Sequence, residues 1–315
     1  MPFAFIVFAG LVPAIAGTAH AKRPTVKSKA AIAIDAETGA EVFGKSADEI
    51  RPIASTTKIF VAMAVRHKGL SLDGWTQILK SDAKAARGGA RTRLDVGELF
   101  NNKDLLRAML MASDNRAPTA LGRAAGLSPD ELIAEMNAVA KRLGLKKTKF
   151  TDTSGLRGNV STAREMALAL RATLEDDVLR EIMHDTQEEV ESKGGKRKVE
   201  YTNTNTPLLG KRFDVIGGKT GFTDPAGYCL VSAAKINGRP VVLAFYGAPE
   251  KQDRFDDFYS VAGWIEEGAQ GAPVTLRAPA TTGTAESSGA SAKARRDKSS
   301  PTLKVSGRAK KKQRS

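Results

Sequence analysis

Small and apolar residues alternate along Ala30–Asp35, Glu37-Thr38-Gly39 supplies a turn, and 40–43 returns, so the first feature of the chain is predicted to be a β-hairpin. The period then changes. From Thr56 to about Arg66 the run Ile59-Phe60-Val61-Ala62-Met63-Ala64-Val65 lacks turn residues and is apolar nearly all round, which predicts a buried helix. Further helices are predicted over 104–112, 116–125, 129–143 behind Ser128 as a cap, and 163–174 behind Thr162. Thr162 and Glu165 match a T-x-x-E capping box. A polar hairpin is predicted over 188–201, because Gly194-Gly195 can adopt the positive φ of a tight turn. Alternation resumes over 214–220, 228–235 and 240–246, the last two joined by Asn237-Gly238, and a final helix spans about 253–267.

Two strands, then helices, then three strands and a helix predict an α+β fold. Its core is one antiparallel five-stranded sheet built from both chain ends, with a helical insertion between them. The segments outside this pattern differ from it. A short apolar run over 3–17, broken by Pro13, precedes Ala19-His20-Ala21, an A-x-A site just ahead of Lys22-Arg23. Residues 1–21 read as a signal peptide, although no Lys or Arg stands before the apolar run. An uncleaved membrane anchor is the alternative. After 270 the chain is rich in Ala, Thr, Ser, Gly and Lys with almost no large apolar residue, and 271–315 is read as a disordered basic tail. The intervening 22–270 is read as a single folded domain.

Charge changes the picture less than its total suggests. The net charge is +14, but 281–315 alone carries ten Lys or Arg against Glu286 and Asp297, hence +8 of it. The folded part is only mildly basic, so a nucleic-acid partner is not expected. Cys229 is the single cysteine, which excludes an internal disulfide, and its flanks Tyr228 and Leu230 suggest a packed strand position.

The scarcity of histidine prunes the hydrolytic chemistries. Once His20 leaves with the leader only His67 and His184 remain, in no H-E-x-x-H spacing and without a cysteine pair to complete a metal site. No metal is expected. No G-x-S-x-G elbow presents a serine to either histidine.

Ser55-Thr56-Thr57-Lys58 offers a different base. Three residues is almost one helical turn, so Lys58 can reach the Ser55 hydroxyl, and an unpaired N–H at a helix start can bond a developing oxyanion. The spacing alone is weak, because S-x-x-K recurs at Ser81/Lys84 and Ser232/Lys235. The second pair falls on a predicted strand, where an odd offset sends the two side chains to opposite faces; the first precedes a Gly88-Gly89 loop. Only Ser55 follows Pro52 and opens a buried apolar helix, a setting that can hold a lysine neutral. Helix capping by Ser55 is the competing reading.

Two further elements follow in order. Ser113-Asp114-Asn115 joins two predicted helices; Asn115 offers a donor and an acceptor for a peptide amide and Ser113 can pass a proton, while an ordinary cap is the alternative. Lys219-Thr220-Gly221 lies on a predicted strand. Alternation puts Lys219 and Gly221 on one face, and Gly221 lets another backbone come close, so that a substrate strand could lie along that edge.

The order S-x-x-K, S-x-N, K-T-G resembles the signature of class A β-lactamases and penicillin-binding proteins. Ile53-Ala54 before the first element, FTDTSGL over 150–156, and Gly218 and Phe222-Thr223 around the third, with Ala226-Gly227, narrow the resemblance. They are similar to the low-molecular-mass penicillin-binding proteins of the serine D-alanyl-D-alanine carboxypeptidase/endopeptidase family, over about 30–268. The resemblance implies a β-lactamase/transpeptidase-like fold and a serine D,D-peptidase that acts on peptidoglycan stem peptides in the periplasm or cell envelope. No cofactor is implied, and β-lactams are implied as covalent inhibitors.

It also implies roles. Ser55 attacks the D-alanyl carbonyl and forms an acyl-enzyme, with Lys58 as base, its pKa lowered by burial and by the nearby Lys219. Ser113 relays the proton, Asn115 holds the substrate amide, and Lys219 with Thr220 binds the carboxylate side. The N–H groups of Ser55 and Phe222 form the oxyanion hole, and Arg254 resembles a substrate-carboxylate arginine, a surface arginine at a helix start being its alternative reading.

Within the family, Ser113-Asp114-Asn115-Arg116-Ala117, 159–164 (NVSTAR) and the Gly263-Trp264-Ile265-Glu266 ending resemble endopeptidases that cut cross-links, whereas Arg254 points toward carboxypeptidases. Both activities stay open. A β-lactamase is less well matched, since neither Glu131 nor Glu135 is followed by Asn four residues on. A non-enzymatic wall-binding protein acting through the basic tail is the rival from another class; that tail would attract anionic wall polymer or a membrane surface.

Overall fold

The alternation over 30–45 folds as expected, into β1 (Ala30–Asp35) and β2 (Glu41–Lys45). The Asp35 carboxylate closes their turn by accepting from the N–H groups of Glu37 and Thr38. The computed structural model of the chain describes residues 22–90 and 92–268. The leader expected at 1–21 and the basic tail expected at 271–315 lie outside the described residues.

A two-residue strand, β3 (Arg51–Pro52), runs into a 3-10 turn over Ala54–Thr57 and helix α1 (Lys58–His67). The insertion then comprises β4 (Trp75–Gln77), α2 (Lys80–Ala85), β5 (Leu99–Asn101), α3 (Asn102–Leu110), α4 (Ala117–Ala124), α5 (Pro129–Arg142), β6 (Val160–Ser161), α6 (Ala163–Thr173), α7 (Asp177–His184) and the hairpin β7 (Gln187–Glu191) to β8 (Lys198–Thr202). Helix α8 (Thr206–Gly210) leads back to β9 (Asp214–Thr223), β10 (Gly227–Ile236), β11 (Arg239–Ala248) and α9 (Asp253–Glu266).

The main sheet has the order β2-β1-β11-β10-β9 and is antiparallel throughout, so the two chain ends meet at β1 and β11. Every residue of β1 is buried. Ala30, Ile32 and Ile34 pack into the cluster that holds α1 and α6, whereas Ala31 and Ala33 join Leu230, Leu243 and Phe245 against α9. Helices therefore cover both faces, and the alanines of β1 give them room. On the α9 side Phe255, Phe258 and Trp264 are the large buried side chains of the helix, at roughly 1.5–3 kcal/mol for each such side chain buried.

Several local expectations need correction. Ser55 belongs to the 3-10 turn before α1, and α1 takes no side-chain cap from Thr57 or from the turn. The capping box at Thr162 is only half made: Thr162 Oγ1 accepts from Glu165 N–H, but Glu165 turns away to Lys147 N–H and Thr148 Oγ1. The complete box is Ser128 with Glu131 on α5. Helix α7 was not expected, although Leu179, Ile182 and Met183 are spaced for one buried face behind Asp176, whose carboxylate accepts from Val178 and Leu179 N–H. The decoy pair Ser81/Lys84 is helical, on α2, and both residues are exposed. At the other decoy Ser232 is buried and Lys235 exposed, as opposite strand faces require.

Candidate active site

The turn that carries Ser55 is built under constraint. Ala54 adopts φ +48, a left-handed conformation unusual for a residue with a Cβ. Gly155 leaves room for it: a Cβ there would lie 1.8 Å from the Ala54 carbonyl oxygen, and Gly155 itself has φ +83. Thr56 Oγ1 donates to Ile53 O and accepts from Tyr246 OH, while Thr57 Oγ1 accepts from Asn159 Nδ2. With the two threonines that follow it tied down, Ser55 is the partly exposed residue of the turn.

Its hydroxyl meets Lys58. Lys58 Nζ donates to Ser55 Oγ at 2.9 Å and to the Ser154 carbonyl at 3.0 Å. Ser55 Oγ bonds no α1 backbone N–H, which removes helix capping as its role. Lys58 is fully buried, and burial lowers its pKa to about 7, against partial opposition from Asp152 and Asp114. The expected contribution of Lys219 falls on the other side of the pair. Burial and the charges of Lys58 and Arg254 hold Lys219 well below the ordinary lysine range, and its Nζ donates to Thr220 O at 2.9 Å.

The sequence reading missed what sets the Ser154 carbonyl in place. Asp152 accepts from the N–H groups of Ser154 and Gly155 at 2.7 and 2.6 Å and also binds that of Arg157. Asn159 ties this loop to the Ser55 turn through Thr57. The FTDTSGL stretch marked the loop, but nothing in its spacing announces that a main-chain carbonyl would position the lysine.

Ser113, Asp114 and Asn115 follow α3 in a tight reversal, with Ser113 at φ +65. Asp114 anchors it. One carboxylate oxygen accepts from Arg93 N–H at 2.7 Å and from Tyr201 OH at 3.1 Å, and the other from Arg116 N–H at 3.0 Å. Burial and the Asp114 carboxylate push the Tyr201 phenol well up, so it stays a donor. The ordinary helix cap that was the alternative here is not made: Arg116, just before α4, provides no side-chain cap, and Asp114 braces the reversal instead. Ser113 Oγ and Asn115 Oδ1 are buried without a partner among the described residues, as groups awaiting a ligand would be. The Gly88-Gly89 loop comes close here: a Cβ on Gly89 would lie 2.1 Å from Asn115 Nδ2.

Strand β9 is a sheet edge, and Gly221 on it meets a backbone as expected, though a different one. A Cβ at Gly221 would stand 2.9 Å from Ser55 N and 3.2 Å from Thr56 N, so the close neighbour is the Ser55 turn. Thr220 Oγ1 pairs with Thr204 Oγ1 at 2.7 Å, and Thr204 N–H and Oγ1 donate to Met111 O just before the Ser113 reversal. Thr204 was not foreseen. Arg254 is no surface residue: it is 5% exposed, donates to Gly221 O at 2.9 Å and Cys229 O at 3.1 Å, and stacks over Tyr228. Tyr228 in turn stacks on Phe222 at 4.3 Å between centroids.

Ser55, Ser113, Asn115, Thr220, Gly221, Phe222 and Arg254 line one cleft of about 730 Å³, with Lys58 and Lys219 bonded to it from behind through Ser55 and Thr220. All nine residues singled out in the sequence are thus brought together. A base-activated hydroxyl, two buried amines, a cluster of unfilled polar groups and an open strand edge can together carry out acyl transfer on an extended peptide.

Comparison with known proteins agrees with this chemistry. Residues 17–250 match the D-alanyl-D-alanine carboxypeptidase family of peptidases. The chain is 33% identical over 242 residues to a D-alanyl-D-alanine endopeptidase of Pseudomonas aeruginosa, covering 76% of this chain and 78% of that one. It is 31% identical over 254 residues to the D-alanyl-D-alanine endopeptidase of Escherichia coli, covering 80% and 82%. Among solved structures, the DD-transpeptidase of Streptomyces K15 superposes with a TM-score of 0.72 at 27% identity, over 77% of this chain and 98% of that one. The chain therefore belongs to the D-alanyl-D-alanine carboxypeptidase family, as a serine D,D-peptidase with a penicillin-binding-protein fold.

Proposed function

We propose that the chain is an exported enzyme that hydrolyses D-alanyl bonds of peptidoglycan stem peptides at Ser55, with cross-links between stems as its preferred substrate. The observation that carries the reading is the 2.9 Å contact between Ser55 Oγ and a buried Lys58 that burial holds near neutrality. Neutral Lys58 takes the hydroxyl proton as Ser55 Oγ attacks the D-alanyl carbonyl carbon, and the N–H groups of Ser55 and Phe222 receive the oxyanion. Collapse breaks the C–N bond, and Ser113 relays a proton to the leaving nitrogen. Water then attacks the acyl-serine and restores Ser55.

Asn115 holds the substrate amide with its unfilled carboxamide oxygen. Lys219 and Thr220 bind the carboxylate side, assisted by Arg254 from the cleft wall, and Gly221 keeps the strand edge clear. β-Lactams acylate the same serine and leave slowly, a view supported by Glu135, which His67, Lys68 and Arg142 engage on α5. The preference for cross-links is supported by the endopeptidase relatives, which match at 33% and 31% identity over more than three quarters of their length.

On this reading residues 1–21 direct export, 22–270 form the catalytic domain in the periplasm or cell envelope, and 271–315 hold it near anionic wall polymer or lipid. About 0.5 M salt should then release the protein from envelope fractions, and retention would contradict the tail's part in the proposal. Mass analysis of products from a pentapeptide and from a cross-linked dimer tests the substrate assignment. Conversion of dimer to monomers faster than loss of D-alanine from pentapeptide is expected. D-Alanine release alone would assign a carboxypeptidase instead.

A further inference from the structure

Beyond Phe222 the cleft has a neighbour. A second cavity of about 280 Å³ is bordered by Lys29, Arg51, Gly227 and Gly247. Phe222, Asp224 and Pro225 wall both spaces, so the turn between β9 and β10 is the partition. Phe222 forms an apolar ridge on it, 47% exposed and backed by Tyr228.

The backbone brings two cations to this cavity. Lys29 precedes β1, and Gly247 lies next to it: a Cβ on Gly247 would stand 3.1 Å from Lys29 Cβ and 2.8 Å from Arg51 Nη2. Gly247, at φ +74, thereby leaves space for the guanidinium against the main chain. Arg51 Nη1 pairs with the half-exposed Glu49 at 2.5 Å, but its Nε is buried without a partner among the described residues. With Asp224 on the partition, the lining carries two cations and one carboxylate, a net positive charge.

The direction of the substrate links the two spaces. On the reading above, the carboxylate side lies at Lys219 and Thr220 and the scissile carbonyl at the N–H groups of Ser55 and Phe222. A strand laid along β9 therefore carries its acyl side past Phe222 toward Asp224. At about 3.3 Å per residue, the residue before the scissile D-alanine reaches the partition.

We propose that this cavity is a subsite for a carboxylate on the stem-peptide residue immediately before the scissile D-alanine, read by Lys29 and Arg51. The proposal rests on the D,D-peptidase reading and adds a selectivity that reading does not contain: a stem acidic at this position is preferred over its amidated form.

Two thiolester probes, acetyl-L-Glu-D-alanyl and acetyl-L-Gln-D-alanyl, differ only in that charge. Their activated leaving group makes acylation independent of what binds on the leaving side, and thiol release reports kcat/KM for the full-length protein. The expected result is a preference of about fivefold for the glutamyl probe, falling toward one in Lys29→Gln and in Arg51→Gln. Both rates come from one preparation, so partial unfolding cancels in the ratio. A ratio near one in the unsubstituted enzyme, or an unchanged preference in both variants, overturns the subsite. Thiol release from neither probe would instead remove the D,D-peptidase reading, and the subsite with it.

Discussion

Lys58 Nζ stands 2.9 Å from Ser55 Oγ, with the Ser154 carbonyl 3.0 Å away on the amine. A base must be neutral to take a proton, and burial brings the Lys58 pKa down to about 7. Acylation by a neutral substrate is therefore expected to rise with pH through about 7 and level off above it. A stopped-flow pH profile checks this; a rate that climbs only above pH 9 would mean that the lysine keeps its ordinary value.

The same shift opposes stability. The unfolded chain holds Lys58 at its ordinary 10.5, so between 10.5 and about 7 the unfolded state binds the extra proton and folding loses free energy as pH falls. The loss is on the order of several kcal/mol, more than the roughly 1–3 kcal/mol of leaving the Ser154 carbonyl without its donor. Lys58→Met should thus be inactive yet melt at a higher temperature than the parent at pH 7. Its advantage should shrink toward pH 10.5. Calorimetry across that range is the check.

Gly221 is where the strand edge meets the Ser55 turn. Gly221→Ala places a methyl group 2.9 Å from Ser55 N and 3.0 Å from Ala54 Cβ, contacts that only movement of the turn can relieve. Acylation should fall at least about tenfold, since small misplacements of a nucleophile are costly. The rest of the sheet is untouched, so the circular dichroism spectrum should match the parent. Penicillin labelling at the parental rate would show that the turn yields freely.

Tyr201 acts on the site through Asp114. Tyr201→Phe removes one bond to a buried carboxylate, worth about 1–3 kcal/mol, and loosens the reversal that carries Ser113 and Asn115. If Asn115 holds the substrate amide, the change should raise KM for peptide more than it lowers the reactivity of Ser55 toward a small acylating β-lactam. Equal losses on both would assign Tyr201 a purely structural part.

The sheet was legible because β1, β9, β10 and β11 alternate or run apolar between clear turns. The insertion was less so: β4 and β5 are three residues each, too short for a period, and α7 hides behind charges although its buried face is regular. At the site, the pairing of Ser55 with Lys58 was readable from order and context. The groups that hold them, Asp152, Asp114 and Thr204, act through backbone atoms or across more than 90 residues of chain, as Thr204 does with Met111. Local spacing carries no trace of the long-range contacts, and an aspartate that accepts from main-chain N–H groups two or three residues on, as Asp152 does, reads like any turn aspartate. The left-handed Ala54 was equally invisible, since the room for its carbonyl comes from Gly155, about a hundred residues on.

The central claim is that Ser55 is the residue acylated. Intact-mass measurement after incubation with benzylpenicillin, on the parent and on Ser55→Ala, tests it most directly. The parent should gain the mass of one penicilloyl group, localised by peptide mapping to the segment containing Ser55, and Ser55→Ala should gain none. A mass increase that persists in Ser55→Ala would contradict the account.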